Sequence, residues 1–489
     1  VSTLRYFARN SVIRVLSFAV GVGFALFVTP KVVGTLGKAT YGVWVLISSV
    51  LCYYLLLEGG VMQAVAKYAS AAFARGDRRE VDRVCTAGVA LHALSCVAAL
   101  CVTALLAFFA GAFATEFVSP ERLRLCLVTY SACLAFMFLF RTFTGILMAE
   151  MRWTFIALLS MARSALTSIT VLIWIRPDNG LLLLAVVNGA GFLLEGMVCL
   201  YCVRCGRMAS FRPSLFDLSL ARNMLVYGFT FTMSEVGDSF RYRSQNYVIA
   251  LFMGVREVAI FSIAMQFIGY FISLMQSAFG IMVPYFSRMQ VGSDSMNIGP
   301  TLLHALRLSY VMASFIGMCL VFYGRDFIVL WLGEGFSASY DALVPLTIGA
   351  VLSLGMLPAD GFLLGTARHR VLARCALAEG GCILLLSVAL AGPFGMAGVA
   401  WAYCIAATVF RAGIVPYLVF THAGLSMADY GRLVAGVLAT HVVPQVLCYL
   451  ALRGSLGNGY LQLALLVCTQ ALLVVVIQMS MLRLHRSPA

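Results

Sequence analysis

Fourteen runs of roughly twenty apolar residues recur along the chain, near 11–34, 41–62, 84–110, 123–148, 153–175, 180–203, 223–253, 258–284, 302–323, 342–366, 371–391, 395–420, 430–452 and 460–482. About twenty such residues, coiled as a helix, match the hydrocarbon thickness of a bilayer. Inside lipid every backbone N–H and C=O must be satisfied within the protein, which leaves helices and closed barrels. Runs of this length predict helices. Composition agrees: 62% of residues are hydrophobic and 11% are charged, against roughly 25% charged in soluble domains. The expected class is an all-α polytopic membrane protein. The first run is too long for a signal-peptide core and has no small-residue cleavage site behind it, so it reads as a retained span.

The net charge of +14 does not point to nucleic acid, because the basic residues are scattered in short segments between spans. With the N-terminus inside, the inner segments hold 19 Lys and Arg and the outer ones 8. That asymmetry predicts cytoplasmic N- and C-termini and an even number of spans. Most of the 15 cysteines lie in apolar runs. Cys202 and Cys205, three positions apart, have no histidine beside them, and all read as small core residues. Nothing resembles a nucleotide-binding loop or an HExxH zinc site, so neither an enzyme nor a metal site is expected.

The two halves repeat each other. An offset of 217 residues lays Gly37 on Gly254, Tyr53 on Tyr270, Leu57 on Leu274, Tyr68 on Tyr285, Ser70 on Ser287 and Asp77 on Asp294 without a gap. It also lays spans one to six on spans seven to twelve. Six is even, so the halves enter the membrane the same way round, as a parallel repeat. The expected organisation is a six-helix bundle over 1–203, a cytoplasmic linker over 204–222, a second six-helix bundle over 223–420, and two added helices over 421–489. The two bundles are expected to face a central cleft.

Charges stand at membrane depth, where they are expensive and face either a wet cavity or a partner. They are Arg14, Glu58, Arg141, Arg163, Glu195, Asp360, Glu379 and Arg411, with Glu235, Asp238, Arg241 and Arg243 crowded into span seven. At ~100° per residue, Glu235, Asp238, Tyr242, Gln245 and Asn246 share one face, flanked by Arg241 and Arg243. The expectation is a continuous helix with a polar stripe. Asp238 and Arg241 are spaced to pair as i, i+3. Arg163, Glu195, Glu379 and Arg411 read either as functional groups or as structural pairs between helices. Arg141 and Asp360 divide evenly between those readings.

The duplicated six-span unit, GTLGKATYGVWVL at the junction of spans one and two, LLLEGGVMQAVAKYASAAFARGD after it, and VIALFMGVREVAIFSIAMQ, VPYFSRM and GTARHR in the second half resemble Wzx-type polysaccharide flippases. These belong to the superfamily that also holds lipid II flippases and multidrug/toxin extruders. The resemblance covers about 5–420. It implies alternating access and transport of an undecaprenyl-pyrophosphate-linked oligosaccharide across the bacterial inner membrane. It also implies that spans one, two, seven and eight line the cleft. On that footing Arg14, Arg241 and Arg243 are candidates for the phosphate, since guanidinium donates in a planar fork. Tyr242, Gln245 and Asn246 are candidates for the sugar, and Glu235, Asp238 and Glu58 for coupling to a proton or sodium gradient. No cofactor is expected. The expected partners are the lipid-linked oligosaccharide, the bilayer and other polysaccharide-assembly proteins. An ion-driven multidrug extruder is the alternative, and a membrane-embedded envelope-polymer enzyme the second.

Overall fold

The computed structural model describes residues 2–113, 117–280, 282–291, 298–366, 368–452 and 459–484. They are helical, with no strand among the described residues. The chain forms two compact units, Val1–Ser239 and Phe240–Ala489. The first carries α1 (Ser2–Cys52), α2 (Tyr54–Leu57), α3 (Val61–Ala74), α4 (Arg78–Phe108), α5 (Pro120–Ala149), α6 (Trp153–Trp174), α7 (Gly180–Cys205) and most of α8 (Leu218–Tyr242). The second carries α9 (Ser244–Met253), α10 (Val255–Phe279), α11 (Met282–Val291), α12 (Ile298–Leu332), α13 (Ser339–Gly355), α14 (Leu357–Gly365), α15 (His369–Ala407) and α16 (Val415–Ala423). It ends with α17 (Met427–Val437), α18 (Val443–Leu452) and α19 (Tyr460–Leu484).

Among the described residues, eleven helices are long and apolar enough to cross a membrane. Two of the eleven, Ala19–Leu57 and Arg370–Ala423, each hold two of the spans expected from sequence. They run through glycines in non-helical conformation, Gly37 (φ 73°, ψ 164°) and Gly395 (φ 60°, ψ −146°). The remaining expected span, 223–253, is absent from the eleven because its charges lower its apolarity. The fourteen runs are thereby accounted for.

The duplication has a backbone signature. Gly254, 217 residues after Gly37, has nearly the same conformation (φ 96°, ψ 177°). L-residues avoid this region because of their Cβ, and glycine has none. At the same offset, Arg207 (φ 48°) and Gly424 (φ 69°) both turn left-handed just past the sixth span of their repeat.

Span seven corrects one expectation. The helix is not continuous: α8 stops at Tyr242, Arg243 sits at φ −126° and ψ −24°, and α9 starts at Ser244. The segment 204–222 is the expected linker. It packs on the first unit, with Met208 and Ala209 buried among Val81, Val84, Cys85 and Val203. Asp217 holds the start of α8 by accepting from Ser219 and Leu220 backbone N–H groups (2.8 and 3.2 Å) and pairing with Arg83 of α4. The cysteines are not uniformly core: Cys101, Cys205 and Cys468 are exposed.

Candidate functional site

In the first unit the sequence LLLEGGV breaks the second span. Gly59 and Gly60 both take positive φ (61° and 65°), which interrupts the helix between α2 and α3 and leaves Glu58 at the break. Its Oε2 accepts from Arg141 Nε (2.8 Å) and Nη2 (2.6 Å) of α5. Its Oε1 accepts from the Met62 backbone N–H (3.2 Å) and lies 3.5 Å from His92 Nε2 of α4. His92 is fully buried and is held on its other side by Thr142 Oγ1 (2.7 Å) and the Gly88 carbonyl (3.0 Å). Glu58 is thus an anchored carboxylate at the meeting of α2, α3, α4 and α5.

The glycine turn has a packing role as well. A Cβ on Gly228 of α8 would overlap the Gly59 carbonyl oxygen, and a Cβ on Gly60 would overlap the Gly228 carbonyl oxygen. Close backbone approach through small residues is how helices pack in lipid. One helical turn or two further along α3, Lys67 Nζ sits 3.7 Å from the centre of the Tyr227 ring. Gly228→Ala is expected to destabilise by about 1–3 kcal/mol through overpacking. The check is a lower thermal midpoint of the detergent-solubilised protein; an unchanged midpoint would show that α3 and α8 do not need this approach.

Arg163 of α6 and Glu195 of α7 form a second pair (Nε to Oε2, 2.6 Å), with Phe192 under the guanidinium at 4.3 Å. Arg141, Arg163 and Glu195 line one cavity of about 270 Å³ together with Tyr54, Tyr130 and Phe192. Arg163 and Glu195 stand mid-helix in α6 and α7, so the cavity lies at depth within apolar spans.

The second unit gathers four charges, with Arg241, Glu379 and Arg411 buried and Asp360 half-buried. Arg411 donates from Nε to Glu379 Oε2 (2.9 Å) and from Nη1 to both oxygens of Asp360 (3.0 Å each). Arg241 Nη2 donates to the same Glu379 oxygen (2.7 Å). Arg411 occupies a π-helical turn, Thr408–Ile414, a local widening of the helix frequent at functional sites. Two guanidiniums face two carboxylates, which balances the charge. Paired and hydrogen-bonded is the arrangement in which buried ions are tolerated.

The two clusters carry a relation that the fold brings out. Arg163 and Glu195 are 32 residues apart, and so are Glu379 and Arg411. Glu379 follows Arg163 by 216 positions and Arg411 follows Glu195 by 216, one residue from the sequence offset. The duplicated helices keep an ion pair at equivalent places with its polarity reversed.

The remaining candidates are placed as follows. Glu235 is exposed on α8 and Asp238 half-buried. Tyr242 is half-buried, with its ring 6.1 Å from that of Tyr403. Arg243 is exposed at the helix break, while Gln245 and Asn246 are buried in α9. Arg14 belongs to α1, but its side chain lies outside the described residues. Sequence reasoning missed His92 and the partner choices of Glu58 and Arg141. The shared 32-residue spacing was the available signal for the reversed pairs.

These features define a class, helical membrane proteins built as a duplicated bundle. The profile of the family described as polysaccharide biosynthesis protein matches residues 7–290, more than half of the 489 residues. The chain belongs to that family. Its fold is that of the multidrug/oligosaccharidyl-lipid/polysaccharide (MOP) superfamily. The solved lipid II flippase MurJ, in an inward closed conformation, superposes with a TM-score of 0.72 at 15% identity, covering 97% of this chain and 99% of that one. An inward-facing multidrug resistance MATE family transporter gives 0.70 at 14% identity, covering 85% and 98%. A MOP superfamily transporter from Pyrococcus furiosus gives 0.66 at 14%, covering 87% and 96%. No curated protein matches the chain in sequence.

Proposed function

We propose that the protein is a Wzx-type flippase that moves a lipid-pyrophosphate-linked oligosaccharide across the bacterial inner membrane by alternating access, for assembly of a cell-surface polysaccharide such as O-antigen. The observation that carries this reading is the cavity of the first unit, where Arg141, Arg163, Glu195, Tyr54, Tyr130 and Phe192 meet at membrane depth. A guanidinium has five donors, and its carboxylate partner leaves several of them for a phosphate. Aromatic faces and a carboxylate suit sugar rings and hydroxyls. A cavity for organic cations would favour acidic and apolar lining without two arginines. Arg243 supplies a further exposed cation at a helix break in the second unit. Glu235 and Asp238 are the groups proposed to sense a proton or sodium gradient.

The test uses the purified full chain in vesicles. Wild type is expected to move a fluorescent undecaprenyl-pyrophosphate oligosaccharide and not to accumulate ethidium. R163Q/E195Q, which keeps size and charge balance, is expected to slow transport by roughly tenfold or more, the effect of losing one or two charge-assisted contacts, with an unchanged thermal midpoint. Ethidium transport without lipid transport would overturn the reading in favour of a multidrug extruder.

A further inference from the structure

A second concavity, of about 890 Å³, opens where α4 begins and α7 ends. Five arginines line it: Arg78 and Arg79 on the first turn of α4, Arg204 and Arg207 at the end of α7, and Arg212 beyond it. Asp82 is the one acid in the lining, and it is already engaged. Its Oδ1 accepts from the Ser210 backbone N–H (2.7 Å), and its Oδ2 lies 3.5 Å from Arg212 Nε. Among the described residues, Arg78, Arg79, Arg204 and Arg207 make no ion pair.

The wall is built rather than draped. The Arg212 backbone N–H donates to Thr86 Oγ1 of α4 (3.1 Å), and Met208 and Ala209 are buried beneath. Arg207 is held at φ 48°, a region that non-glycine residues seldom occupy. The retention of basic residues on one side of a membrane accounts for arginines in short loops. It does not account for five of them converging on one concavity with a fixed wall.

We propose that this concavity binds a phosphate-bearing anion at the membrane–water boundary. Both α4 and α7 are apolar spans that reach their ends here, so the arginines stand at headgroup level. Phe211 lines the concavity and is 48% exposed, as aromatic rings at a lipid interface are. The chemistry is shared by an anionic phospholipid headgroup and by free phosphate, and the lipid is the source that the position favours. The assignment does not depend on the transport reading.

The experiment is native mass spectrometry of the full chain in detergent micelles containing phosphatidylglycerol or phosphatidylcholine. Wild type is expected to retain phosphatidylglycerol preferentially. R78Q/R79Q/R207Q is expected to lose roughly tenfold in retention, since each basic residue near an anionic surface contributes measurably. R368Q/R370Q/R374Q, three arginines of the second unit, should stay within about twofold of wild type by the same reasoning. Displacement of the lipid by millimolar inorganic phosphate would identify a free anion as a second ligand of the site; no displacement would assign it to lipid. Wild-type retention by the first triple variant, or equal loss in both, would overturn the proposal.

Discussion

Arg411→Met is expected to remove most folded protein from the membrane. The guanidinium is 2% exposed and spans Asp360 and Glu379. Without it the two carboxylates are left with Arg241, whose Nη2 donates to Glu379. Breaking a buried pair by removing one partner costs about 3–5 kcal/mol, because the abandoned charge stays desolvated. Total stabilities are only about 5–15 kcal/mol, so this is a large fraction. Arg411→Lys keeps the charge but not the fork that reaches two carboxylates, and should fall between. The measurement is the yield and thermal midpoint of monodisperse protein by size-exclusion chromatography. A wild-type midpoint for Arg411→Met would mean that the cluster contributes nothing to stability.

The reversed pairs predict a rescue. R163E alone places two carboxylates side by side, and E195R alone two guanidiniums. Each should cost about 1–2 kcal/mol, below the scale for a fully buried pair, because the two side chains keep 19% and 22% of their exposure. The double swap R163E/E195R reproduces the polarity that Glu379 and Arg411 carry at equivalent places in the second unit. It should recover most of the loss, with a coupling of about 2 kcal/mol in a double-mutant cycle. Additive single effects would show that the pair has no interaction worth measuring. A swap that folds but does not transport would separate the cavity's role in binding from its role in packing.

The all-helical membrane class was legible because each apolar run decides its own fate. Twenty residues such as LLLLAVVNGAGFLLEGMVCL satisfy their backbone locally and need lipid or protein around them, whatever lies elsewhere in the chain. The repeat was legible because duplication leaves an offset. Gly37 and Gly254 could be matched before their shared conformation was seen. Span seven was less legible. Helical rotation put Glu235 to Asn246 on one stripe, but it assumed a continuous helix. The break at Arg243 sends Gln245 and Asn246 into the second unit's interior while Arg243 stays exposed.

Sequence by itself determined that the chain enters the membrane repeatedly as apolar helices and that charge would be carried in with them. The physical reason is that transfer of a helix into lipid sums over neighbouring residues. Only the tertiary structure decided which charges meet. Glu58 takes Arg141 from 83 positions away, and Glu379 takes Arg411 from 32 and Arg241 from 138. Those choices follow from how helices pack and turn about their axes, down to the π-helical turn that places Arg411, and a charge pair falls off too steeply with distance for spacing along the chain to stand in for that geometry.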